Sequence, residues 1–256
     1  NRSGSTLLFN LAHQILLDSG TSVHAAWVDL HSQDDPADVH LVKFHDPAPW
    51  LEVQADIIFT SRRDLRDIVA SIVRLELAHG LDDQRRVAVS SVEKHRYWQA
   101  RTHHEFVYED MMTNPVATVE RMANLLGRPM TRREAGSTLA SVDATIAASS
   151  KVTWDATTLL YPNHRGSGKI NVWRRQLSPQ SIAAIEEACG DWLGDWGYPL
   201  SADLPPLPIR GQLPHSMTQR CKRVIPSMPT PACDTARIWR RTTRRPICSC
   251  SRAGPR

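Results

Sequence analysis

The sequence predicts an α/β fold, in which packed helices cover a sheet. Short apolar runs of strand length alternate with segments whose apolar residues recur every three or four positions, as in an amphipathic helix. Hydrophobic residues make up 41% and charged residues 23% of the 256 positions. This composition is typical of a globular protein, and it excludes a collagen-like or disulfide-dense chain.

The elements of the N-terminal half follow from these patterns. Apolar side chains at helical spacing predict a helix over residues 5–18, entered directly from a Ser- and Gly-rich segment. Apolar runs predict strands over 40–44 and 55–60. A strongly amphipathic helix begins at Asp64, and a long polar helix follows over 82–102.

Turn and cap signals organise the rest of the body. A strand is predicted over 105–108 and a helix over 131–147. The dipeptides Asn114-Pro115 and Ser178-Pro179 each predict an N-cap followed by Pro at the first helical position, and Gly127 marks the end of the first of these helices.

Charge is distributed unevenly along the chain. Residues 206–256 contain ten Arg and one Lys against a single Asp, a net charge of +10, so residues 1–205 carry −6 of the total of +4. The tail also holds 8 of the 17 Pro and four of the five Cys. We predict a globular body over 1–205 and a disordered basic tail over 206–256, which is either merely solvated or binds an anionic partner.

The segment Asn1-Arg2-Ser3-Gly4-Ser5-Thr6 leads into the first predicted helix. Backbone N–H groups and the positive end of the helix dipole would converge there beside hydroxyls and a guanidinium, which predicts an anion site. The alternative is an ordinary Ser/Thr N-cap without a ligand. The chain has no Walker P-loop, because Gly-x4-Gly-Lys-Ser/Thr does not occur.

A second segment, residues 60–71, takes a strand end into a helix with Arg63 at the junction and Ser71 two turns along. Alone, Arg63 could pair with Asp67 four residues later, and Ser71 could bond back to its own helix. Together with the first segment, however, it resembles the sulfotransferases that use 3′-phosphoadenosine 5′-phosphosulfate (PAPS). Residues 2–6 are similar to their 5′-phosphosulfate loop, and Arg63 with Ser71 is similar to their 3′-phosphate signature.

Further segments extend the resemblance over about residues 1–199. Residues 42–47, Val-Lys-Phe-His-Asp-Pro, resemble the family's Lys-Thr-His strand end, and 107–110 resemble its Tyr-Glu-Asp segment. His164-Arg165-Gly166 followed by Trp173 is similar to the loop that closes over the cofactor. The chain departs from the pattern at Leu7, which stands where family members often carry a Trp that stacks on adenine, and in the longer spacing from His164 to Trp173.

The resemblance implies a P-loop-like, three-layer parallel sheet flanked by helices, with its first strand preceding Asn1. It also implies that PAPS is the donor and that no metal takes part. The donor-binding residues that it implies are Arg2, Ser3, Gly4, Ser5, Thr6, Arg63, Ser71, Tyr108, Arg165 and Gly166.

Sulfonyl transfer needs a base for the acceptor proton and positive charge near the leaving oxygen, much as phosphoryl transfer does. The resemblance implies that His45 is the base, and its reference pKa of about 6.5 lies close to working pH. Lys43, two residues earlier on the predicted strand, would lie on the same face and share the charge of the transferred group, while Arg2 would stabilise the leaving group. The plain alternative is a strand-end histidine that bonds to backbone.

The acceptor is less closely specified than the donor. The Lys-x-His pattern resembles the branch of the family that acts on small-molecule hydroxyls more than the glycan branch. A non-catalytic nucleotide-binding module would not need Lys43 and His45. No nucleic acid partner is expected, because the body is acidic. The spacing of the cysteines does not match that of a zinc site. No apolar run reaches the ~18 residues of a membrane span, and we expect a cytoplasmic protein.

Overall fold

A computed structural model describes residues 2–149, 154–160 and 168–206. The basic tail beyond residue 206 lies outside the described residues, so both its predicted disorder and the domain boundary at 205 stay predictions. The helices and strands of the described residues are α1 Ser5–Asp18, β1 Val23–Trp27, β2 Val39–Lys43, α2 Pro49–Glu52, β3 Phe59–Arg62, α3 Leu65–Val73, α4 Leu81–Gln99, β4 His104–Val107, α5 Tyr108–Thr113, α6 Pro115–Leu125, α7 Arg132–Ser149, α8 Trp173–Gln176 and α9 Pro179–Asp195.

Both strand pairs in the described part of the chain are parallel, in agreement with the predicted α/β class. β1 pairs with β2 in the register Val23↔Val39 to Trp27↔Lys43, and β3 pairs with β4 from Phe59↔His104 to Arg62↔Val107. The described residues thus form two two-stranded sheets and not one continuous sheet. A cavity of about 1150 Å³ is lined by every residue of β2 and β3, and helix α1 also contributes to its wall.

Two hydrophobic clusters hold the helices in place. The first joins α1 to β4, α6 and α7, with Ile15, Phe106 and Met122 almost fully buried. The second joins α3, α4 and α9 around Val69 and Ile185, neither of which is exposed. Burial of this apolar surface orients α1 and α3, the two helices that begin within the predicted anion-binding segments.

Several element predictions are confirmed and others are wrong. Helix α1 has the predicted bounds, and the Ser178 hydroxyl accepts the N–H of Ser181 as an N-cap should. Asn114 precedes α6, yet its side chain donates to the hydroxyl of Thr113 and does not cap the helix. The strand predicted over 55–60 begins only at Phe59, and strand β1 was not predicted, because Val-His-Ala-Ala-Trp shows no regular alternation of apolar and polar residues.

Candidate functional site

The predicted anion-binding loop enters α1 through Gly4, which has a left-handed backbone (φ 95°). A Cβ atom at this position would stand 2.6 Å from Cδ2 of Tyr108, so glycine is required both by conformation and by space. The buried Ser3 hydroxyl lies 2.9 Å from the hydroxyl of Ser61 in β3. The loop is therefore held directly against the strand that leads to Arg63.

The two segments predicted to bind anions are in contact. Nε of Arg2 donates to Oγ of Ser71 at 3.0 Å, and Nη1 of Arg63 donates to the carbonyl of Arg2 at 3.2 Å. Burial, together with the charges of Arg74 and Arg63, lowers the pKa of Arg2. This accumulation of positive charge would be offset by a bound anion, and Arg74 is a member of it that sequence reasoning missed.

Arg63 carries a donor that no atom in the described part of the chain accepts. Its guanidinium lies 4.0 Å from the ring centre of Tyr108, and its Nη2 donates to the carbonyl of Lys169 at 3.4 Å and lies 3.4 Å from Oδ2 of Asp67. Its Nε is buried and has no hydrogen-bond partner among the described residues. Because an unpaired buried donor is costly, this atom fits an anionic ligand oxygen.

Lys43 ends strand β2 and reaches the same loop. Its Nζ donates to Oγ1 of Thr6 at 2.5 Å, and only 8% of the residue is exposed. Burial, with a smaller contribution from the charge of Arg2, lowers the pKa of Lys43 to about 8. Lys43 thus stays mostly protonated at pH 7 and places a cation beside the first turn of α1.

His45 follows β2 in a bend and is not part of the strand, so the same-face argument from strand alternation was wrong. The indole N–H of Trp98 in α4 donates to the carbonyl of His45 at 3.1 Å, and the ring of Trp27 lies 5.1 Å from the imidazole. Burial, strengthened by the charges of Lys43 and Lys94, lowers the pKa of His45 to about 3. The imidazole is therefore neutral at ordinary pH.

These residues share one cavity. His45, Lys43, Ser3, Ser5 and Arg63 all contribute to the wall of the cavity of about 1150 Å³. The structure thus brings the loop, the cation at the end of β2 and the imidazole together with the junction before α3. Arg165 and Gly166, predicted from the closing loop, lie outside the described residues.

A buried network that sequence reasoning missed supports the junction at Arg63. Arg66, 1% exposed, donates from Nε and Nη2 to Asp64 at 3.0 and 2.8 Å and from Nη1 to Glu186 at 2.6 Å. Asp64 in turn caps α3 by accepting the N–H of Arg66. The cap was detectable as an Asp before an apolar periodic run, whereas Glu186 lies 120 residues from Arg66 and gave no local signal.

The fold and this site define an α/β protein with a cation-rich pocket at the N-terminus of a helix. A family model described as the sulfotransferase domain matches residues 63–197. The match covers more than half of the chain, and the protein belongs to the sulfotransferase family. No curated protein matches the sequence.

The comparison and the structure bear on the remaining predictions to different extents. The match begins at Arg63, so residues 2–6, Lys43 and His45 precede it and their assigned roles stay predictions. Within the described residues, no three His, Cys, Asp or Glu side chains form a group that could hold a metal ion. No helix among those residues is long and apolar enough to cross a membrane.

Proposed function

We propose that the protein transfers a sulfonyl group from PAPS to the hydroxyl of a small-molecule acceptor. The observation that carries this proposal is the buried Nε of Arg63, which no atom of residues 2–149, 154–160 or 168–206 pairs with, beside the Arg2–Ser71 contact and in the same cavity as Lys43 and His45. A donor with phosphate groups at both ends of its ribose needs two adjacent cationic sites. The contact between the two segments supports this arrangement.

The 5′ end of the donor would lie at the loop before α1. Arg2 would hold the 5′-phosphate together with the backbone N–H groups and hydroxyls of Ser3, Gly4, Ser5 and Thr6, since these groups gather at a helix N-terminus. The 3′-phosphate would accept hydrogen bonds from Arg63 and Ser71. Tyr108, which packs against both Gly4 and Arg63, would contact the nucleotide between these two ends.

His45 and Lys43 would carry the chemistry. The acceptor oxygen bonds to sulfur as the bond from sulfur to the bridging oxygen breaks, and neutral His45 takes the acceptor proton. Lys43 and Arg2 offset the charge that develops on the bridging oxygen, which leaves with adenosine 3′,5′-bisphosphate. The negative charge of the bound donor would also counter the nearby cations, so that the imidazolium is stabilised as the proton arrives.

Apolar side chains in the wall of the cavity that contains His45 support a small-molecule acceptor. Phe44, Leu51, Ile58 and Trp98 contribute to the cavity wall, and Ile57 and Leu77 are exposed there. An apolar body bearing one hydroxyl matches this lining, since pockets for such ligands are mostly apolar with a few placed polar groups. A highly hydroxylated glycan would leave more of its polar groups unpaired against the same walls.

The same proposal extends to the sheet. β2 and β3 each pair with one strand among the described residues, and both contribute to the cavity wall. The resemblance implies a further parallel strand that leads into residues 2–6. Placed between β2 and β3, this strand would unite the two pairs into the three-layer architecture.

Two experiments test the proposal. The purified protein is incubated with labelled PAPS and pooled hydroxyl acceptors, and its affinity for nucleotides is measured separately by calorimetry. We expect transfer of label, and tighter binding of adenosine 3′,5′-bisphosphate than of adenosine 5′-monophosphate. Arg63→Ala should remove most of that preference, whereas Arg133→Ala on the exposed surface of α7 should keep it. Equal affinity of the wild-type protein for both nucleotides would contradict the assignment.

A further inference from the structure

Asp67 is a fully buried carboxylate in α3 for which the chemistry above has no use. Its Oδ2 accepts the backbone N–H of Asn171 and its Oδ1 accepts that of Trp173, both at 2.9 Å. Asn171 has a left-handed backbone (φ 57°), a conformation that Asn tolerates better than most residues. One side chain therefore fixes the path of a segment that lies more than 100 residues away.

The same carboxylate meets the guanidinium assigned to the 3′-phosphate. Nη2 of Arg63 lies 3.4 Å from Oδ2 of Asp67 and also donates to the carbonyl of Lys169. Asp67 and Arg63 thus both contact residues 169–173. Any rotation of the Arg63 side chain changes the charge that faces Asp67 and the hydrogen bond that reaches Lys169.

Trp173 is held from a second direction by the helix turn that contains Asp67. The guanidinium of Arg66 lies 3.9 Å from the centre of the Trp173 ring, which is 2% exposed. A cation against an aromatic face in a dry environment is an attractive contact with a defined geometry. The first turn of α3 therefore fixes both the backbone and the ring of Trp173.

We propose that Asp67 is a positioning residue that couples the hold of Arg63 on the 3′-phosphate to the seating of residues 169–173. The inference rests on the proposed function, because it assumes a ligand with a 3′-phosphate. Asp67 touches no substrate in this scheme. It orients Arg63 by charge and residues 171–173 by hydrogen bonds. Arg63 and residues 171–173 therefore take up their positions together.

The first test measures nucleotide preference, defined as the ratio of the dissociation constants of adenosine 5′-monophosphate and adenosine 3′,5′-bisphosphate. Asp67→Asn keeps the size of the side chain but removes its charge and one of its two acceptor atoms. We expect the preference to fall roughly tenfold, the size of coupling typical of groups in one ionic network. Val69→Ala, a cavity variant of the same helix, should lose stability and keep the wild-type preference.

A double variant separates positioning from general damage. In an Arg63→Ala background there is no guanidinium to orient, so Asp67→Asn should change the preference little further. An unchanged preference in Asp67→Asn would overturn the inference. If Asp67→Asn lowered the nucleotide preference by the same factor in the wild-type and Arg63→Ala backgrounds, the inference would be overturned too.

Hydrogen exchange on the wild-type protein supplies a measurement that no folding defect affects. Saturating adenosine 3′,5′-bisphosphate should slow exchange of the Asn171 and Trp173 amides more than adenosine 5′-monophosphate does, because both amides bond to Asp67. If adenosine 3′,5′-bisphosphate binds more tightly but both nucleotides protect these amides equally, the coupling is overturned and the proposed function stands. Absence of any 3′-phosphate preference in binding would instead remove the proposed function, and this inference with it.

Discussion

Nε of Arg2 donates a hydrogen bond to Oγ of Ser71 at 3.0 Å, although 69 positions separate the two residues. Arg2 belongs to the loop before α1, and Ser71 lies two turns into α3. The carbonyl of Arg2 also accepts a hydrogen bond from Arg63. The two predicted anion sites thus form one continuous cationic surface, and a nucleotide bound there would share or replace the Arg2–Ser71 contact.

Gly4→Ala should destabilise the protein. The left-handed backbone costs a non-glycine residue about 1–2 kcal/mol, and the added Cβ would stand 2.6 Å from the ring of Tyr108. We expect the free energy of unfolding, measured by urea denaturation, to fall by more than ~1 kcal/mol. Nucleotide affinity should fall as well, because the loop cannot keep its path against Tyr108.

Gly136→Ala is the matched control for this substitution. Gly136 lies within α7, and a Cβ there would meet no atom within 4 Å. Alanine in a helix interior is favoured over glycine by about 1 kcal/mol, so this variant should be more stable than the wild type. A loss of stability in Gly136→Ala as large as that in Gly4→Ala would contradict the explanation given for Gly4.

Local sequence patterns predicted the helices well, but they could not predict the tertiary contacts of the site. The bounds of α1 and the start of α3 follow from apolar periodicity, and the loop before α1 was identified from residue types alone. The indole N–H of Trp98 bonds to His45 from 53 positions away, and Asp67 bonds to Trp173 from 106. Neither pairing has a local signature, because each depends on how α4 and α3 pack.

Burial also shifts the expected chemistry of His45. A reference pKa of about 6.5 was the reason to regard it as a base near working pH. The surrounding side chains and cations lower that pKa to about 3. Sequence reasoning identified the residue but not its environment, which arises from β1, β2 and α4 together.

Arg66→Ala should cost far more stability than its position near a helix start suggests. The buried guanidinium bonds to Asp64, Glu186 and the carbonyl of Pro199. Its removal leaves the buried Asp64 carboxylate without its cation, while the part-buried Glu186 keeps its hydrogen bonds from Ser201. We expect a loss of about 3–5 kcal/mol in the free energy of unfolding. Arg86→Ala removes an exposed ion pair with Asp83 and should change stability by less than about 1 kcal/mol. Similar losses in both variants, measured by urea denaturation, would contradict the assigned role of the Arg66 network.

The pH dependence of kcat/KM should be set on its alkaline side by Lys43. Its pKa is lowered to about 8, so above that pH the ammonium loses its proton and the charge that stabilises the leaving oxygen disappears. We expect kcat/KM to fall tenfold per pH unit there. Lys43→Arg, whose guanidinium keeps its proton, should move this fall to higher pH. An alkaline fall that stays at the same pH in Lys43→Arg would assign it to another group.

His45→Ala should lower turnover by about 10²- to 10⁴-fold while donor affinity changes little, because a general base acts on the acceptor proton and not on donor binding. Since the pKa of His45 is lowered to about 3 in the ligand-free protein, the imidazole is already neutral across roughly pH 5–7, and the wild-type kcat/KM should be flat there instead of rising through 6.5. His79→Ala, at an exposed histidine, is the control and should keep wild-type turnover. Near-normal turnover in His45→Ala would place the base elsewhere, and Asp46, which pairs with Lys94 at 2.7 Å, would then be the next residue to substitute.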